Sequence, residues 1–120
     1  MKKENYQKGK RGEEIAKDYL EQKGWIWIKS NYKNQLGEID LIMKDDETLV
    51  FVEVKLKVGE EFGQPEEMIG WGKRWQIRRV AEAFVALEKP KQSKYRIDGV
   101  CIVMELGKIK RINHYENLEN

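Results

Sequence analysis

The stretch GEIDLIMKDDETLVFVEVKLK, residues 37–57, is two aliphatic and β-branched runs joined by the acidic tetrapeptide KDDE. That pattern predicts a hairpin with strands at Leu36–Met43 and Thr48–Lys57. Glu38, Asp40, Glu53 and Lys55 lie inside the runs rather than at their ends. A charge in a half-buried strand is costly unless it is paired, hydrogen-bonded or holding a metal. Side chains alternate along a strand, so Glu38, Asp40 and Ile42 are expected on one face, opposite Ile39, Leu41 and Met43. On the second strand Leu49, Phe51, Glu53, Lys55 and Lys57 share a face, opposite Val50, Val52, Val54 and Leu56. Keeping the two uniformly apolar faces together requires facing residue numbers with an odd sum; a slip of one would scatter them. In every such register Asp40 shares a face with Glu53 and Lys55, directly across from Glu53 or displaced by two.

Two carboxylates and one ammonium are therefore expected at one end of the hairpin. A plain salt bridge to Lys55 is the bland explanation, and surface pairs of that kind are weak. It leaves one negative charge over, and carboxylates held close repel unless a proton or cation joins them. Mg²⁺ suits such a site, being hard, oxygen-seeking and commonly bound by one or two carboxylates plus substrate phosphate.

The chain has 120 residues, the size of one domain spanning 1–120. Charged residues make up 37%, above the roughly 25% of an average domain, so ions of both signs crowd the surface. Lys and Arg number 23 against 21 Asp and Glu, so any basic surface must come from clustering. The lone cysteine, Cys101, excludes an intramolecular disulfide and a Cys-rich zinc site, and its apolar surroundings point to an inert buried thiol. With no long apolar span and no apolar signal region after the first basic residues, a cytoplasmic protein without membrane contact is expected.

A first helix is predicted from about Gly9 to Lys23, capped by Gly24, with Ile15, Ala16, Tyr19 and Leu20 on its apolar side. Glu13 falls on the border of that side and Glu14 nearly opposite. WIWIKSNY reads as a strand with Trp25 and Trp27 on one core-facing side. After a glycine-rich stretch, in which Pro65–Glu67 also suits a helical first turn, a long helix runs to about Glu88. Ile69, Ile77, Val80, Ala81, Phe84 and Leu87 form its stripe, with Lys73 on it. YRIDGVCIVME reads as a strand buried on both faces and GKIKRINHY as a last, more polar one. Arg96 and Asp98 alternate onto one face as a pair, and His114 is read as structural. The order αβββαββ predicts an α/β fold with a central mixed sheet flanked by helices.

An Asp at the end of one strand and Glu-x-Lys on the next resembles the signature of the PD-(D/E)xK nucleases, the restriction-endonuclease-like superfamily. GEIDLI, LVFVEVK, FGQPEE, Lys73, YRIDGV and INHYEN occur in the order typical of the YraN-like family of small bacterial proteins, and GKRGEEIAKDYLEQKGW is similar to its opening helix. Ile39 replaces the superfamily's proline, as is usual in that family. Lys33 and Lys57 stand where relatives often carry arginine, which keeps charge but removes a bidentate phosphate grip.

The resemblance implies the restriction-endonuclease-like fold and metal-dependent cleavage of nucleic-acid phosphodiesters, with Holliday-junction resolvases as the nearest analogues. It places Mg²⁺ or Mn²⁺ on Asp40, Glu53, the carbonyl of Val54 and Glu13, with Lys55 orienting the attacking water. Lys73 is a phosphate contact by its position, and Lys8, Lys10, Arg11, Lys29, Lys33, Lys57, Arg74 and Arg78 are candidates for backbone binding, DNA before RNA. Resolvases often act as dimers, so Trp71 and Trp75 are candidates for a homodimer interface, core packing accounting for them equally. The rival expectations are a nucleic-acid-binding module that has lost catalysis, and an interaction protein whose charged hairpin is merely salt-bridged.

Overall fold

The computed structural model describes residues 2–59, 63–92 and 94–118, without the side chains of residues 2–8 and 71–73. Helix α1 spans Lys2–Gln22, beginning earlier than the apolar pattern requires because its first turns are polar all round. It stops where Gly24, at φ +94°, takes a left-handed turn. Gly24 N donates to the Glu21 carbonyl at 2.9 Å and Trp25 N to Leu20 at 3.2 Å. These are the paired bonds of a Schellman cap, closed by burial of Trp25 and Leu20 in one cluster.

Five strands follow: β1 (Ile26–Asn34), β2 (Gly37–Asp45), β3 (Thr48–Val58), β4 (Lys94–Glu105) and β5 (Lys108–Tyr115). A 3-10 turn, Pro65–Met68, and helix α2, Trp71–Glu88, lie between β3 and β4. The sheet order is β1-β2-β3-β4-β5, antiparallel throughout except for the parallel β3–β4 pair. That exception follows from connectivity: a hairpin reverses the chain, whereas the α2 crossover brings it back in the same direction. This is the α/β order αβββαββ of a restriction-endonuclease-like fold.

The helices cover opposite faces. Ala16 and Leu20 of α1 pack on Leu41, Met43, Val50, Val52, Val100 and Ile102. Ile77, Val80, Ala81 and Phe84 of α2 pack on Tyr32, Ile42, Leu49, Phe51 and Ile97. With apolar cover on both sides, β3 is continuously hydrophobic over Leu49–Val52 and β4 over Val100–Met104. Leu41 faces Val52 and Ile42 faces Phe51, the odd-sum register expected of the hairpin.

Three expectations are corrected. Strict alternation fails in β2, because Ile39 joins the α2-side cluster while Leu41 and Met43 lie under α1. Trp27 does not share the burial of Trp25 and is 40% exposed, with a register shift in β1 just beyond it, between Trp27 and Lys29. Leu87, in the last turn of α2, leaves the buried stripe and is 73% exposed. The helical turn that Pro65–Glu67 suits does form, as the 3-10 turn Pro65–Met68, with Pro65 setting its first φ. Trp75 is exposed; the side chains of Trp71 and Lys73 lie outside the described residues.

The Arg96–Asp98 pair forms as expected, Arg96 Nε donating to Asp98 Oδ1 at 2.9 Å. His114 is structural too: Nε2 lies 2.8 Å from Asp98 Oδ2, and Nδ1 lies 2.9 Å from Lys23 Nζ. The Asn117 N–H supplies a further bond to Asp98 at 2.9 Å. A fully buried carboxylate is thereby held by three partners, which keep it ionised below the usual range against the opposing effect of burial.

Candidate metal and phosphodiester site

The β2–β3 ladder pairs residues from Asp45–Thr48 to Leu41–Val52, and both strands continue past its end. At that point Val54 N donates to Asp40 Oδ2 at 2.8 Å, so a side chain takes the place of the next ladder bond. The hairpin opens there, and a cleft of about 640 Å³ lies over the opening. It is lined by Gly9, Lys10 and Glu13 of α1, Asn31 and Lys33 of β1, and Glu38 and Asp40 of β2.

Each element brings its residue there for a local reason. Asp40 is the β2 residue next beyond the last ladder pair, Leu41–Val52. Glu53 follows Phe51 on the same side of β3 and is 2% exposed; Lys55 Nζ stands 3.1 Å from its Oε1. Glu13 is carried in by the close packing of α1, since a Cβ on Gly12 would lie 3.2 Å from Leu56 Cβ. Asn31, at φ 54°, occupies the left-handed region that Asn tolerates, and its side chain hydrogen-bonds Glu13.

Electrostatics set the character of the site. Burial first, then the neighbouring Glu53, pushes the Asp40 carboxyl up to about 8, while the Val54 N–H and Lys55 pull the other way. Glu13 is also raised, chiefly by burial, with Glu38 and Glu53 adding to it and Asn31 opposing. The acids thus feel one another, and Lys55 does not neutralise them all.

Among the described residues, no three His, Cys, Asp or Glu side chains stand preassembled around a single ion. The donor set nonetheless fits a hard divalent cation: oxygen only, two mutually repelling carboxylates, and a backbone strand beside them. Mg²⁺ characteristically uses one or two carboxylates and fills its remaining positions with water and substrate oxygens.

Lys33 lines the cleft with the acids, as does Lys10. Arg11 is exposed on α1, and Lys57 is partly buried two residues beyond Lys55. Arg74 is turned to another task, donating to the Leu118 carbonyl at 2.9 Å and so holding the C-terminal segment. Asn31 escaped sequence reading because its part depends on a backbone kink that no hydrophobic period signals. The Lys23 partner of His114 was equally hidden, 91 positions away.

The family model of Uncharacterised protein family UPF0102 matches residues 12–102, from the turn of α1 that carries Glu13 into β4. The chain belongs to UPF0102, the YraN family. UPF0102 proteins of Dictyoglomus thermophilum and Pelotomaculum thermopropionicum are each 37% identical to it, over 97% of both chains in the first case and 91% and 92% in the second. One from Caldicellulosiruptor saccharolyticus is 39% identical over 91% of this chain and 93% of its own. Glu13, Asp40, Glu53 and Lys55 all fall inside the family segment, and β5 lies beyond it.

Proposed function

We propose that this UPF0102 protein is a divalent-metal-dependent endonuclease that hydrolyses nucleic-acid phosphodiester bonds, with branched or junction DNA as the substrate to test first. The observation that supports this most is the Asp40–Glu53 pair. Two largely buried carboxylates that repel each other weaken a fold, and one of them, Asp40, lines an open cleft together with Lys10 and Lys33. A cation joining them removes that cost.

Asp40, Glu53 and the Val54 carbonyl would hold Mg²⁺ or Mn²⁺, with Glu13 reaching it from α1. Such an ion, when bound, polarises a phosphoryl oxygen and makes a bound water more acidic. Lys55 orients the attacking water and offsets negative charge developing on the phosphate, a role open to it because it already stands beside Glu53. Lys33 and Lys10 grip the flanking backbone as point charges. Glu38 stays in the outer ring, where it raises the demand of Glu13 for a proton or a cation.

The test is a panel of branched, flapped, single-stranded and linear substrates incubated with purified protein and Mg²⁺ or Mn²⁺. Cleavage that disappears in Asp40→Ala, Glu53→Ala and Lys55→Ala supports the proposal. Cleavage that survives in Glu53→Ala or Lys55→Ala overturns it, as does calorimetry in which neither ion binds or Asp40→Ala binds it unchanged.

A further inference from the structure

Trp27 is the feature that folding leaves unexplained. An indole in an edge strand gains most by turning inward, and Trp25, two residues away, does so. Trp27 is instead turned to the surface and held there. Its Nε1 donates to Ser30 Oγ at 2.9 Å, and Lys17 Nζ sits 4.1 Å from its ring centroid. A side chain fixed in orientation while two-fifths exposed is a platform rather than a loose end.

Both of its anchors, Ser30 and Lys17, line a second groove of about 220 Å³ together with Lys10, Glu13, Glu14 and Asn31. Lys10, Glu13 and Asn31 line the first cleft as well, so the two clefts adjoin, and the second reaches the two residues that hold the indole. Lys29 and Lys33 lie along the same strand. Lys10, Lys17 and Lys33 line this route beside Glu13, Glu14, Glu38 and Asp40, and three of those acids, Glu13, Glu38 and Asp40, line the first cleft at the proposed metal site, where a bound cation would offset them.

We propose that this path binds a single-stranded polynucleotide segment, one base stacking on the face of Trp27 away from Lys17 while Lys10 and Lys33 hold the phosphates leading into the cleft. This rests on the nuclease reading, and it names the strand form that the site takes. The pairing of an aromatic face with a basic track is what single-strand binding requires, because every base has a stackable face and the backbone supplies the charge. A duplex keeps its bases stacked and has no use for Trp27.

The experiment is fluorescence anisotropy with labelled single strands of roughly twelve nucleotides, oligothymidylate and oligouridylate, and with a duplex of equal length. Ca²⁺ replaces Mg²⁺ in the buffer to suppress cleavage. Trp27→Ala is expected to weaken single-strand binding roughly tenfold or more while leaving duplex affinity and the melting temperature nearly unchanged. Trp27→Phe is expected to keep most of the affinity but lose the indole quenching that accompanies binding in the wild type. Equal single-strand affinity in wild type and Trp27→Ala, or an equal loss for duplex, overturns the stacking role while wild-type cleavage still stands. Failure of the wild type to bind or cut any nucleic acid overturns both proposals.

Discussion

Val54 N donates to Asp40 Oδ2 across 2.8 Å at the point where the β2–β3 ladder ends. The same bond caps the strand pairing and brings a carboxylate to the buried Glu53, so stability and chemistry meet in one side chain.

Asp40→Asn is therefore expected to separate the two. The Asp40 carboxyl is raised from its ordinary 3.8 to about 8, so the folded protein binds a proton more tightly than the unfolded chain. Stability in EDTA must fall as pH rises from about 4 through about 8. Asn keeps an oxygen for Val54 and carries no charge. The variant should gain on the order of 1–3 kcal/mol near neutrality, a gain that widens with pH, and should lose its metal response. Urea denaturation at several pH values checks this; an unchanged or lower neutral stability contradicts it.

Lys55→Met should have the opposite sign. It keeps the packing of the stem but strips the buried Glu53 of its ammonium partner. Removing one member of a buried pair costs about 3–5 kcal/mol at its upper range, discounted to about 1–3 here because Lys55 remains partly solvated. Saturating Mn²⁺ should restore part of the loss in thermal melts by neutralising the acids from the other side.

His114→Ala should destabilise the fold by about 2–4 kcal/mol without touching cleavage at saturating substrate. The buried Asp98 would keep Arg96 and the Asn117 N–H but lose the imidazole, and Trp25 would lose an edge-to-face partner at 5.2 Å. Equal loss of activity and stability in the assay would instead tie His114 to the site.

Glu66 governs the acid limb. Arg111 grips it at 2.9 and 3.1 Å and the Tyr115 hydroxyl donates at 2.6 Å, which together hold its carboxyl down at about 2. A depressed folded value stabilises above the ordinary 4.5, and the stabilisation is lost as pH falls through about 2. Glu66→Gln should flatten that part of the acid-denaturation curve while leaving the Asp40-dependent slope at higher pH in place.

Gly12→Leu tests how Glu13 is delivered. The 3.2 Å approach of a Cβ at this position to Leu56 leaves no room for a branched side chain, so α1 must lift from β3. Overpacking of this kind costs about 1–3 kcal/mol. Metal affinity should fall with it, whereas Glu14→Ala, on the neighbouring exposed position, should leave both unchanged.

Sequence periodicity alone determined the two helices, the five strands, the odd-sum hairpin register and the gathering of Asp40, Glu53 and Lys55. Those features follow from local geometry, because residues two apart in a strand share a side wherever the pleat is regular. Tertiary structure decided what depends on distant segments meeting: the close approach at Gly12 that brings in Glu13, the kinked Asn31 that bonds it, and the Lys23–His114–Asp98 chain. It also decided where alternation yields. Ile39 joins the α2 cluster and Trp27 faces solvent in β1 and β2, whose pairing carries a register shift after Trp27, and no count along the chain records where a pleat becomes irregular.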